Sequence, residues 1–355
     1  MIVAPAPLRL ASTAGRGTLF AAVVASGMVF LDSTVVNVAL PHLGAELRAS
    51  TSGLQWTLDG YLLTLAAFVL LGGALGDRLG RRRVFLLGVL AFTVASVLCG
   101  TAQHIAALVA ARFLQGLGGA LLTPGSLALL QSSFHPDDRG RAIGAWSGLS
   151  GVSTALGPFL GGWLIDLLSW RWIFFLNVPL AAIVVVAALR WTPESRADDE
   201  LRGTDGKRRE PFDLAGALLG ALGLAGVTFA LVEARQLGSG SWPVVVAALV
   251  GVAASVAFVL AERHRGTRAM LPPALFSRRL FGVLNVYTVL VYAALTGFTF
   301  FFSVYLQNAV GYSALATGLA TLPLTILMLI GSPRLSVSIQ QCDSAAQQKG
   351  GRADG

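Results

Sequence analysis

GGALGDRLGRRR (residues 72–83) sets one aspartate and four arginines between two long apolar runs. The chain is otherwise sparing with charge, since only 12% of its 355 residues are Asp, Glu, Lys or Arg while 55% are hydrophobic. A soluble globular domain carries roughly twice this share of charge. With a mean hydropathy of +0.71, the chain reads as an integral membrane protein and this cluster as one of its short loops.

The net charge of +8 does not indicate nucleic-acid binding, because the basic residues lie between apolar runs and not on one face interleaved with aromatics. The two cysteines, Cys99 in an apolar run and Cys342 in the tail, support neither a disulfide framework nor a metal site. His42, His104, His135 and His264 lie in or beside loops without metal-ligand spacing. No catalytic serine elbow, zincin pair or phosphate loop occurs, so an enzyme is not expected.

A membrane-crossing helix needs about 20 largely apolar residues. Ten windows qualify: 19–40, 55–76, 84–101, 105–130, 142–167, 172–190, 214–233, 243–261, 281–305 and 313–331. Stretches such as VVVAALVGVAASVAFVL (244–260) show none of the alternation of a transmembrane barrel, so the spans are predicted to be helices. Cytoplasmic loops collect Lys and Arg. With the N-terminus inside, the inner segments hold 22 of the 26 basic residues, the outer loops hold Arg48, Arg171 and Arg235, and Arg112 lies within a span. Dropping one helix would exchange every later loop, so ten spans with both ends inside is the expected topology. Residues 77–83 then form the first inner loop. Topology accounts for their arginines but not for Asp77, Gly73 or Gly80.

Gly73-x-x-x-Asp77-Arg78-x-Gly80-Arg81-Arg82 resembles the signature loop of the major facilitator superfamily. Four further segments are similar to motifs of its drug/proton antiporters: LDSTVVNVALP (31–41), LVAARFLQGLGGA (108–120), GVSTALGPFLGG (151–162) and SWRWIFFLNVP (169–179), the last typical of the fourteen-helix branch. The resemblance implies an all-α polytopic bundle of the major facilitator type with cytoplasmic termini. It divides the chain into an N-terminal tail (1–18), a first six-helix half (19–190), a cytoplasmic connector (191–213) and two extra helices (214–261). A cytoplasmic loop (262–280), the first two helices of a second half (281–331) and a polar tail (332–355) follow. The loop cluster does not recur, and relative to a fourteen-span protein four helices are missing, which implies a C-terminal truncation.

Three charged residues lie well inside the windows: Asp32, Asp59 and Arg112. Each costs about 2.5–3.5 kcal/mol at a helix centre, so a paired or aqueous setting is expected. From a rise of about 1.5 Å per residue, Asp32 lies roughly 12 Å and Arg112 roughly 10 Å from the outer surface, at matching depths, and Asp59 roughly 6 Å. The resemblance places spans one and four on a central cavity, with Asp32, Arg112, Asp59 and Asn37 as proton-coupling and cavity residues. A neighbouring arginine favours the charged carboxylate and burial disfavours it, so the pair's protonation answers to substrate or conformation. A purely structural pair is the alternative reading. Gly73 is expected to admit a neighbouring helix and Gly80 a tight turn, while Asp77 is implied to dock on a second-half helix. Gly144, Gly148, Gly151, Ala155, Pro158 and Gly162 share one face of span five, as either a packing seam or a hinge. Gly157, Pro158, Gly161 and Gly162 belong to the antiporter motif.

The resemblance implies proton-coupled export of hydrophobic or cationic drug-like compounds across the bacterial cytoplasmic membrane. Small molecules, protons and the lipid bilayer would be its partners, with no nucleic acid and with the proton gradient in place of a cofactor. A ten-span ligand-binding or sensing component is the alternative function. Nothing in the pattern selects a substrate or an oligomeric state.

Overall fold

The computed structural model describes residues 7–195, 214–265, 279–321 and 323. The helices of the first half are α1 (Thr13–Glu46), α2 (Thr51–Leu79), α3 (Arg81–Thr101), α4 (Ile105–Ser133), α5 (Pro136–Leu167), α6 (Trp172–Phe175) and α7 (Asn177–Trp191). They are followed by α8 (Leu214–Leu237), α9 (Trp242–Arg265) and α10 (Arg279–Asn308). Among the described residues, nine spans are long and apolar enough to cross a membrane, α6 and α7 counting as one. A further helix starts at 314 and is described to 321. The rest of the tenth window, most of the 191–213 connector, residues 266–278 of the 262–280 loop and the 332–355 tail lie outside the described residues.

The helices outrun the hydropathy windows because their ends are capped in the polar flanks. Ser12 and Ser50 each accept a backbone N–H three residues on, from Gly15 and Gly53. α5 begins with Pro136, whose missing N–H costs nothing at that position, and carries Asp137 and Asp138 in its first turn, where the helix dipole favours them. The N-terminal segment is tied to this end through Leu8, which pairs with Ser133 and His135, and through the Arg9–Asp137 ion pair at 3.1 Å.

Small residues set how closely the helices approach, as expected where lipid supplies no hydrophobic drive between them. A Cβ on Gly72 or Gly118 would collide with backbone of the facing helix, at Ala120 and at Phe92 respectively, which locks α4 between α2 and α3. α8 and α9 form a hairpin closed at Gly226 against Gly251. The hairpin leans on α2, where the Glu233 carboxylate accepts from Ser52 Oγ at 2.5 Å and Trp56 Nε1 at 2.7 Å.

The core has layers. With the N-terminus inside, the outer layer joins Leu31–Leu43 of α1 to Leu58, Leu108, Ile165, Trp170 and Phe174, and also to Phe300 and Ala314 beyond the first half. The next layer inward, including Met28, Tyr61, Phe85, Phe92, Leu122 and Val184, comes from the first half alone.

Candidate functional site: a buried acid–base core

Asp32 of α1 and Arg112 of α4 meet at the centre of the first half, with Nη1 at 2.5 Å from Oδ2 and both side chains 0% exposed. Lipid exposure of either charge is thereby excluded. The first half closes round the pair. Gln115 Nε2 donates to Asp32 Oδ1 at 2.8 Å and Asn177 Nδ2 reaches the same oxygen at 3.4 Å. Ser96 Oγ accepts from both amides and donates to the Phe174 carbonyl at 2.9 Å. Arg112 is held in turn by the Thr57 carbonyl at 2.8 Å and by Gln115 Oε1 at 2.8 Å, and its guanidinium lies 4.2 Å above the Tyr61 ring. A single carboxylate thus organises α1, α2, α3, α4 and the α6–α7 junction. Two buried atoms of this cluster, Arg112 Nη2 and Asn177 Oδ1, have no hydrogen-bond partner among the described residues.

The other two cavity candidates stand apart from this core. Asn37 is half-buried and donates to the Ser33 carbonyl of its own helix at 3.1 Å. Asp59 is half-buried on the α2 face that carries Ser52 and Trp56, towards the α8–α9 hairpin, and has no hydrogen-bond or ion-pair partner among the described residues.

In the first inner loop, Gly80 ends α2 and starts α3 with φ +112°, a conformation that excludes side chains. The close approach expected at Gly73 falls one residue earlier. A Cβ on Gly73 would make an ordinary 3.7 Å contact with Pro124, while Gly72 is the residue in backbone contact with α4. Asp77 is paired within its own loop, with Arg81 Nη2 at 2.9 Å. Glu194, just past α7, accepts the Arg82 backbone N–H at 3.1 Å and faces the Arg82 and Arg83 guanidinia at 3.8 Å. Arg82 Nη1 donates to the Thr192 carbonyl and the Arg81 backbone N–H to the Ser195 carbonyl, each at 3.0 Å, so Arg81, Arg82 and Arg83 all meet the start of the connector.

The small-residue face of α5 is two surfaces and not one. On the outer half, Cβ atoms on Gly157 and Gly161 would collide with Thr34 and Val35 of α1, and one on Gly162 with the Ala314 backbone. A Cβ on Gly318 would in turn meet the Pro158 carbonyl. On the inner half, Gly144, Gly148 and Gly151 have nothing within 4 Å of a Cβ among the described residues. A cavity of about 160 Å³ between Phe30 and Trp146, Ser147, Ser150 and Thr154 opens on this side.

Residues 22–340 match the sequence pattern of the Major Facilitator Superfamily. The chain belongs to that superfamily. This member is 37% identical over 324 residues to the tetracenomycin C resistance and export protein of Streptomyces glaucescens, an alignment covering 91% of this chain and 59% of that protein. It is 37% identical to the methylenomycin A resistance protein of Bacillus subtilis (90% and 67% covered) and 38% to the puromycin resistance protein pur8 of Streptomyces alboniger (88% and 60%). The chain therefore spans about three fifths of the length of such relatives. A solved peptide transporter, POT, shares its fold at a TM-score of 0.63 with 15% identity, over 94% of this chain and 70% of that one. The chain is accordingly a multi-pass membrane protein of bacterial plasma-membrane type.

For this superfamily member, several site residues escaped the sequence reading. Gln115 and Asn177 lay inside the quoted motifs, at RFLQG and LNVP, but as uncharged residues they carried no burial signal. Ser96 sat unmarked in an apolar run. Glu194 and Glu233 lie at span ends, where a carboxylate reads as solvated.

Proposed function

We propose that this protein works in proton-coupled efflux of apolar, drug-like compounds, with Asp32 as the proton-carrying group and Arg112 as its fixed counter-charge. The observation carrying this reading is the enclosed Asp32–Arg112 pair, joined by two neutral amide donors and flanked by one donor and one acceptor that are unpaired among the described residues. Removing the negative charge of Asp32 by protonation leaves Arg112 an uncompensated buried cation. A proton on Asp32 therefore changes the energy of the whole first half, because the same network ties five of its elements together. Alternating access in such carriers is rocking of one half against the other round a fixed site. Proton and substrate then compete through conformation without needing to touch. The names of the relatives, which include resistance to methylenomycin A and puromycin and export of tetracenomycin C, support antibiotic-like cargo.

The test uses everted membrane vesicles carrying the full chain, energised with an inside-acid proton gradient and offered puromycin, with the uncoupled vesicles as baseline. Gradient-driven uptake is expected with the native chain and its loss with Asp32→Asn, the two compared at equal amounts of folded protein in the membrane. Equal gradient-driven uptake by the two chains refutes the role of Asp32.

A further inference from the structure

Asp166 sits at the outer end of α5 and holds a helix it is not part of. Its Oδ1 accepts the backbone N–H of Ala314 at 3.2 Å and its Oδ2 that of Leu315 at 3.0 Å. The first turn of a helix leaves such N–H groups without intrahelical partners and carries a partial positive charge, so a carboxylate placed there is doubly favoured. Ser313 completes the cap by accepting the Ala316 N–H at 3.1 Å. The docking is close: Gly162 lies against the Ala314 backbone and Gly318 against the Pro158 carbonyl. Between α1 and α10, Gln307 Nε2 donates to the Val38 carbonyl at 3.0 Å.

We propose that Asp166 is the outer gating residue of the transport cycle, a carboxylate that latches the first half to the helix starting at 314 whenever the outer side is shut. Three observations carry it. The contact joins segments about 150 residues apart, on opposite sides of the connector. It lies at the outer end, where α5 finishes and the 314 helix begins. The same two segments are in backbone contact beside it, at Gly162 against Ala314 and at Gly318 against the Pro158 carbonyl. Opening the outer side must separate Asp166 from both N–H groups. The strength of that contact then sets the ratio of outward-open to outward-closed molecules. Asp166 is exposed and forms no part of the Asp32 core, so the latch rests on the transporter reading for its purpose but not for its detection.

The test measures conformation and needs no substrate. Spin labels at Leu167→Cys and Tyr312→Cys, both exposed positions flanking the contact, report its span by electron–electron distance measurement in the full chain in liposomes. The background is Cys342→Ser, Cys99 being buried. Asp166→Ala is expected to raise the long-distance, outward-open population about fivefold or more, in the range of ordinary coupling between two states. Leu315→Pro removes one N–H at a position where a helix tolerates proline, and is expected to move the distribution the same way by less. Asp166→Asn, which keeps an acceptor, falls between the native chain and Asp166→Ala. Unchanged distributions in Asp166→Ala and Leu315→Pro overturn the proposal, as does loss of folded protein in Asp166→Ala with no shift in Leu315→Pro, which would make Asp166 a static cap. Efflux that proves independent of Asp32 leaves this readout untouched, so the two readings fail separately.

Discussion

The outer and inner ends of this bundle are built from the same helices and packed differently. At the outer end, glycines at 157, 161 and 162 bring α5 into backbone range of α1 and of the 314 helix, and the hydrophobic core runs through from α1 to Phe300 and Ala314. At the inner end, Gly144, Gly148 and Gly151 of α5 have no neighbour among the described residues, and neither has Gly282 of α10. The core layer there belongs to the first half alone. Carboxylates follow the same division. Asp166 at the outer end reaches across to another segment, whereas Asp77 at the inner end is held by Arg81 in its own loop. One helix therefore carries a seam at its outer end and, among the described residues, no such contact on its inner half, and the Asp32–Arg112 core lies between them as the rigid joint of the first half.

The strongest way to break this comparison is to break the joint. Arg112→Met leaves Asp32 buried and unpaired, which costs about 3–5 kcal/mol. Thermal unfolding in detergent, followed by size-exclusion chromatography, should show a large loss of folded protein. Adding Asp32→Leu should restore much of it, since an apolar pair replaces an ionic one at little cost. A double variant no better than Arg112→Met alone would deny the pairing its structural part.

A smaller effect separates the two ends. Gly162→Leu forces a side chain into the Ala314 backbone and should cost about 1–3 kcal/mol, as overpacking does. Gly148→Leu, on the same helix but at the open end, should cost no more than the ordinary surface substitution, within about 0.5 kcal/mol. Equal losses in the same unfolding assay would remove the distinction between the outer and inner halves of α5.

The least effect is expected at the inner loop. Glu194→Gln weakens two partly exposed ion pairs at 3.8 Å while keeping an acceptor for the Arg82 N–H, and should change stability by about 0.2–1 kcal/mol, less in high salt. A loss comparable to that of Gly162→Leu would mean that the connector is clamped to this loop far more tightly than its exposure suggests.

The fold was legible because length and apolarity carry it. Nine of the ten predicted windows fall on membrane-length helices, and in the tenth a helix starts at 314 and is described to 321. Helix ends were misjudged because Ser12, Ser50 and Pro136 extend helices into polar sequence that hydropathy discounts. Asp32 and Arg112 stood out for a physical reason too, because an intramembrane charge is costly enough to be conspicuous in any sequence. Their enclosure did not stand out. It depends on Gln115, Ser96 and Asn177, neutral residues whose partners lie on other helices and whose meaning exists only after packing. Gly73 was named where Gly72 makes the contact, a one-residue error that turns a helix face by about 100°. Asp166 was passed over because a carboxylate at the end of a span reads as solvated until the helix it caps comes into view.

The account stands on the outer end of α5 being sealed against the 314 helix while its inner glycines meet nothing among the described residues. Membrane-impermeant maleimide, applied to everted vesicles and separately to right-side-out vesicles, tests this in a Cys342→Ser chain with a single reporter at either Gly148→Cys, on the open inner face of α5, or Ser303→Cys, which is 1% exposed in the outer seam. Rapid labelling of Gly148→Cys from the cytoplasmic side, with Ser303→Cys protected from both sides, is the predicted result. Labelling of Ser303→Cys from the outside together with protection of Gly148→Cys would contradict it.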